Sequence, residues 1–141
     1  MISDELNQII EQINNQGSMR LIDAATSEQI TQFEVENDIH LPSKYKEWLL
    51  LSDGGELYLP AGVQLYGVAH KPLIDLNDND RPDNSYIVIG ALASGDPILC
   101  KKDEERIYVY DHENRVIAEE LMYEDFFAFT YALYDLLGIG E

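Results

Sequence analysis

Apolar residues in this chain recur at helical spacing as far as Asp53-Gly54-Gly55, then in short strand-like bursts to about Ala118, and at helical spacing again towards the end. Helices and strands that are segregated along a chain, rather than alternating, predict an α+β fold with helices packed on a sheet. In the first third, Leu6, Ile9, Ile10 and Ile13 share one face of a segment that Ser3 can cap and Asn14-Asn15-Gln16-Gly17 ends. Thr26 stands three residues before Gln29, the spacing of a capping box, so a second helix is predicted from Ser27 to Asn37. Pro42 suits the first turn of a third helix, in which Tyr45, Trp48 and Leu49 form one face before the Asp-Gly-Gly stop.

Beyond Gly55, Leu57 to Leu59 and Val63 to Tyr66 are separated by Pro60 and Gly62. Tyr86 to Leu92, Pro97 to Cys100, Ile107 to Tyr110 and Val116 to Ala118 are four further strand candidates. Short polar connections between them favour antiparallel neighbours. Leu76 to Ser85 is polar and reads as an exposed loop. Phe126, Phe127, Phe129, Thr130, Leu133, Leu136 and Leu137 form the apolar stripe of a closing helix, with Gly138 placed to end it. The expectation is a single domain over residues 1–141, with a largely antiparallel mixed sheet of about six short strands, N-terminal helices and one C-terminal helix.

Charge narrows the partners. Against 27 acidic residues stand nine basic ones, a formal charge of -18. Nucleic acid and anionic membranes are disfavoured, because affinity for phosphate surfaces comes from Lys and Arg displacing counterions. A surface so acidic either serves solubility alone or attracts a basic protein. The start of the chain lacks the basic and apolar regions of a secretory signal, and a lone Cys100 agrees with a reducing compartment, so a cytoplasmic location is expected.

Motifs for chemistry are sparse. His40, His70 and His112 lie in separate neighbourhoods without a second His or Cys at zinc spacing, so neither a metal nor a cofactor is expected. Asp75-Leu76-Asn77-Asp78-Asn79-Asp80 begins like a calcium loop and then fails, with Asp80 where Gly is needed and Tyr86 where a bidentate Glu is needed. Cys100 ends an apolar strand and reads as buried and inert, although Lys101 and Lys102 beside it would favour thiolate. Glu119-Glu120 and Glu124-Asp125 read as caps of the closing helix. No catalytic residue is assigned. An enzyme built on scattered carboxylates with His70 or His112 would need a deep pocket holding two of those groups in hydrogen-bonding reach.

From Ile30 to Gly55 the string ITQFEVENDIHLPSKYKEWLLLSDGG resembles the signature of the SUKH superfamily, in its Smi/Knr-type branch. The matching features are Phe33-Glu34, Ile39, Leu41-Pro42, Tyr45, Trp48-Leu49 and Gly54-Gly55. YIVIGALASGDPILC is similar to the family's central strand pair, and the segment from Ile107 to Leu137 to its last hairpin and closing helix. Residue chemistry makes the motif architectural: an apolar helix face, a proline at a helix start, and a glycine supplying positive φ at a helix C-cap. The resemblance implies a protein that works by contact, as bacterial immunity proteins against polymorphic toxins or as regulators.

The expected function is therefore non-enzymatic binding and neutralisation of a basic toxin domain, such as a nuclease. A regulatory scaffold docking an endogenous signalling or cell-wall enzyme is the alternative. The candidate binding residues are Asp75, Asp78, Asp80 and Asp83 in the polar loop, and Asp103, Glu104 and Glu105 in a hairpin turn. Each of these carboxylates can equally be part of a solvated face.

Overall fold

The computed structural model describes residues 3–59, 62–77 and 79–136. Helix α1 spans Asp4–Gln16 and is capped at its start by the Ser3 hydroxyl, which accepts the Leu6 N–H at 3.2 Å. Its apolar stripe of Leu6, Ile9 and Ile13 is fully buried. Helix α2, Ser27–Asn37, carries the complete capping box: Gln29 N–H donates to the Thr26 hydroxyl, and Thr26 N–H donates to the Gln29 side chain. Helix α3 is short, Ser43–Leu49, and buries Tyr45, Trp48 and Leu49. Helix α4 runs Phe126–Leu136, and its first turn is capped by Asp125, whose Oδ1 accepts the Ala128 N–H at 2.8 Å. The expected stop at Leu137 and Gly138 lies outside the described residues.

Between α1 and α4 the described strands form a seven-stranded meander: β1 Ser18–Arg20, β2 Gly55–Leu59, β3 Val63–Leu65, β4 Tyr86–Leu92, β5 Pro97–Lys101, β6 Ile107–Asp111 and β7 Val116–Tyr123. Each is antiparallel to its neighbour in sequence, so the sheet is more uniform than the mixed one expected. From β4 to β7 the connections are short turns, which leave antiparallel pairing as the only way back, whereas longer segments join β1 to β2 and β3 to β4. The extra strand, β1, has only three residues, too few for their alternation to signal a strand; pairing of Met19 with Leu57 and Arg20 with Glu56 makes it one. Strand β7 runs five residues past the predicted end at Ala118, to Tyr123. Its register against β6 jumps between Tyr110↔Ile117 and Tyr108↔Met122, so it bulges there. Glu119 and Glu120 are therefore exposed strand residues and not helix caps; of the carboxylates read as caps, Asp125 has that role.

A core cluster runs from Leu6 of α1 through Tyr45 and Trp48 of α3, across Leu65, Ile87, Ile98 and Ile107 of the sheet, to Phe126, Phe129 and Leu133 of α4. Tyr45 meets Phe126 edge-on at 4.8 Å, and Trp48 lies 6.0 Å from the same ring. Burying an aromatic side chain of that size is worth about 3–5 kcal/mol against truncation. Their polar atoms are satisfied inside: Trp48 Nε1–H donates to Gly54 O at 2.9 Å and Tyr45 O–H to Tyr66 O at 2.5 Å.

Two details differ from the sequence reading. Pro42 is the residue before α3 and not part of its first turn. The C-cap of α3 is Leu50 in right-handed conformation, so the glycines do not cap the helix. Gly54 and Gly55 do take positive φ, 108° and 104°, in the turn that starts β2. A Cβ on Gly54 would sit 2.6 Å from Leu65 O, which forbids any side chain there.

Candidate partner-binding surface

Alternation along the strands sends every second side chain to the sheet face away from the helices. There Val88, Leu99, Tyr108 and Tyr110 form a smaller buried cluster, flanked by Tyr66, Tyr86 and Ile117, with no helix residue in it. Leu76 packs on the helix-side core, and residues 79–85 run beside this other face. Asn79 to Pro82 share a groove with Tyr110, His112 and Arg115 at one end. At the other end Lys102 N–H donates to Ser85 O at 3.2 Å.

That last bond joins the two acidic groups read from the sequence. Asp83, exposed, accepts the N–H and hydroxyl of Ser85, which hold its carboxyl below the usual range. The turn from Lys102 to Arg106 carries Asp103 and Glu104, both exposed. Asp103 sits at φ 65°, its N–H on His40 O, and Glu104 accepts the Tyr108 hydroxyl at 3.3 Å. Between the two acidic groups lie Tyr86 and Tyr108, edge-to-face at 5.5 Å, with Lys101 Nζ 5.1 Å from the Tyr86 ring centre. The two phenols favour the charged Lys101 and raise its pKa, so the ammonium is held by the tyrosines. Asp83, Asp103 and Glu104 thus border an aromatic pair at one end of the sheet.

The remaining candidates fall elsewhere. Asp75 is exposed and accepts the Asn77 N–H at 2.8 Å, a local turn bond. Asp80, also exposed, lines the groove at the opposite end from Asp83. Asp78 lies outside the described residues. Glu105 is bound up in the fold, because its carboxylate accepts Ser43 N–H at 2.8 Å, the Ser43 hydroxyl at 2.8 Å and Lys44 N–H at 3.4 Å. Pro42 has no side chain to cap α3, and Glu105 does so from 62 residues away. Partial burial pulls its pKa up, but the donors from Ser43 and Lys44 outweigh this and hold it below the usual range. Glu34 of the motif is architectural too, accepting Leu41 N–H at 2.7 Å with Lys46 at 3.3 Å.

Sequence reasoning missed Asp53 except as part of a helix stop. Its carboxylate is fully buried and collects the N–H groups of Val68, Ala69 and His70 at 2.7–2.8 Å and the His70 imidazole at 2.9 Å. A buried carboxylate survives only when so satisfied, and here the satisfaction fixes the chain after β3. Its available signal was an acidic residue two positions after the apolar run from Trp48 to Leu51.

His112 Nδ1 lies 2.5 Å from Asp96 Oδ1, tying the turn after β6 to the turn after β4. This hydrogen bond to Asp96 raises the imidazole pKa, against a smaller effect of burial. Two histidine–carboxylate pairs thus exist, yet no Ser, Thr or Cys side chain bonds to either imidazole among the described residues. His40 is exposed at the end of α2. Burial pushes the Cys100 thiol far up, the reverse of what the adjacent lysines alone would do. No group of three His, Cys, Asp or Glu able to hold a metal occurs among the described residues, and no helix there is long and apolar enough to cross a membrane.

The family model described as SMI1 / KNR4 family (SUKH-1) matches residues 24–130, from just before α2 into α4 and well over half of the chain. The interval contains the whole motif from Phe33 to Gly55. No curated protein matches.

Proposed function

This chain belongs to the SMI1 / KNR4 family (SUKH-1), and from that premise we propose that it is a non-enzymatic cytoplasmic immunity protein that binds and neutralises a basic toxin domain. A nuclease is a fitting example, since nucleases present cationic surfaces to their substrate. The observation that carries the reading is the contiguity of Asp83, Asp103 and Glu104 beside Tyr86 and Tyr108, on a sheet face no helix covers, in a protein of charge -18. Exposed carboxylates steer a cationic partner during encounter, and their reach is about 8 Å at physiological salt. Desolvated aromatic contacts set how long the complex lasts. Asp75 and Asp80 contribute to the field, whereas Glu105 acts through the α3 cap that holds the turn in place.

The test is co-expression with the toxin domain encoded beside the gene, scored by growth rescue and co-purification. The variant Asp83→Asn/Asp103→Asn/Glu104→Gln slows association with that toxin at low salt and loses the difference at high salt. Rescue with unchanged association kinetics removes this patch from the interface. Failure to rescue, combined with co-purification of an endogenous signalling or cell-wall enzyme, replaces immunity with the regulatory scaffold.

A further inference from the structure

In a chain with nine Lys and Arg against 27 acidic residues, cations gathered in one concavity require a reason. Arg81, Arg115 and His112 line a single groove of about 780 Å³ between the segment 75–85 and the turn after β6. That volume falls within the range of about 300–1,000 Å³ typical of small-molecule sites. Pro82 and the small exposed edge of the otherwise buried Tyr110 supply the apolar part of the lining, and Asp80 is the carboxylate among the lining residues.

The cations are placed by bonds that do not use them up. Arg81 Nη1 donates to Tyr86 O at 2.9 Å and Nη2 to Asn84 Oδ1 at 3.3 Å. A guanidinium has five N–H donors in a fixed fork, so this anchoring orients it and leaves donors over. Arg115 is exposed, with left-handed φ of 57° set by the turn in which its N–H donates to Asp111 O at 2.7 Å. It forms no ion pair among the described residues. His112 is held through Nδ1 by Asp96, and this bond favours the protonated ring. The other charges near the imidazole are Asp80 across the groove and Asp111, Glu113 and Arg115 on its own turn. Asp111 is occupied by the N–H groups of Glu113 and Asn114 and by the Asn114 amide. Asp96 offsets the imidazolium, and the two guanidinium groups are the charge left facing Asp80.

We propose that this groove binds a small phosphate monoester carried on a flat apolar group, its oxyanion held by Arg81 and Arg115 with His112 and its ring against Pro82 and the exposed edge of Tyr110. A dianion suits paired guanidinium groups, which bind phosphate oxygens bidentately. The repelling charge of the rest of the molecule is screened beyond about 8 Å at physiological salt, so the local cations decide. The site is separate from the Asp83/Asp103/Glu104 patch and does not depend on the protein's role as an immunity protein.

The experiment is titration of the full chain with phenyl phosphate, followed by backbone amide NMR. Saturable shifts confined to residues 79–81 and 110–115 are expected. Inorganic phosphate binds the same residues more weakly, and neutral benzyl alcohol gives no saturation there. Arg115→Asn keeps a residue that tolerates left-handed backbone and weakens binding about tenfold, the loss of one charge-assisted contact. Above about pH 6.5, where the monoester is largely dianionic, affinity falls as pH rises through the raised imidazole pKa. Absence of saturation at millimolar phenyl phosphate overturns the proposal, as does equal binding by the Arg115 variant or by benzyl alcohol.

Discussion

The two faces of the sheet are built on different physical terms. On one, α1, α3 and α4 bury Leu6, Ile9, Ile13, Tyr45, Trp48, Phe126 and Phe129 against the strands. On the other, Val88, Leu99, Tyr108 and Tyr110 pack with Tyr66, Tyr86 and Ile117 beside a polar segment fastened at intervals by single bonds, such as Arg81 to Tyr86 O and Lys102 to Ser85 O. Area removed from water dominates the first face, and directed polar contacts dominate the second. The lesson is where change is tolerated. The helix-covered face constrains composition through packing, while the other needs only its fastening points and leaves the intervening side chains open to recognition.

The comparison breaks first at its centre. Trp48→Ala destabilises by about 4 kcal/mol, since the indole has no exposed surface and touches Phe126. Leu99→Ala, equally buried on the other face, costs about 2 kcal/mol because it removes a smaller side chain from a smaller cluster, whose partly exposed neighbours Tyr86 and Ile117 can settle into the space. Urea unfolding of both variants measures the gap. Equal losses would mean that the second face is as tightly packed as the first.

Asp53 joins β2 to the chain after β3, and its effect comes next. Asp53→Ala strands the N–H groups of Val68, Ala69 and His70 and costs about 3 kcal/mol at neutral pH. Hydrogen exchange of those three amides separates a local from a global effect. If the carboxylate is the anchor, they lose protection more than the amides of α1 do.

How much of this was legible in the sequence follows the same division. Wherever apolar spacing or capping chemistry is local, as in α1, α2 and β4, the sequence reading and the structure agree almost residue for residue. It failed where the deciding partner is distant in the chain. Ser18–Arg20 is a strand because of Leu57 and Glu56, Glu119 and Glu120 are strand residues because β7 pairs with β6, and Glu105 caps a helix that begins at Ser43. The aromatic pair Tyr86–Tyr108 and the buried Asp53 were hidden for the same reason. Of the seven acidic binding candidates, spacing could show only that they cluster along the chain, not that Ser85, which Asp83 holds, bonds to the turn that carries Asp103 and Glu104 while Asp80 lines a groove with His112.

Glu105 tests whether a residue of the acidic turn is structural. Glu105→Gln weakens the α3 cap and costs about 1 kcal/mol at pH 7. Its folded pKa is depressed, so the wild-type contribution is complete above the unfolded pKa and is lost as pH falls through the folded value. The variant therefore converges on wild type in acid. A stability difference that persists unchanged at pH 2 would assign the loss to packing instead of charge.

The smallest effect on stability belongs to the three carboxylates that the fold does not need. Asp103→Asn preserves tolerance of φ 65°, Glu104→Gln can still accept the Tyr108 hydroxyl, and Asp83→Asn can still accept from Ser85. Each substitution removes charge and keeps an acceptor; the Ser85 donors that depress the Asp83 pKa favour its ionised form, but that carboxylate is exposed, so the unfolding midpoint of the triple variant at neutral pH falls by less than that of Glu105→Gln. Encounter with a cationic partner depends on charge and not on acceptors, so the association rate drops at low salt while the dissociation rate, set by buried contacts, holds. An unfolding midpoint lowered as far as that of Glu105→Gln, with unchanged association, would reverse the assignment, placing these carboxylates with Glu105 among the residues that hold the turn and leaving Tyr86 and Tyr108 without their acidic border.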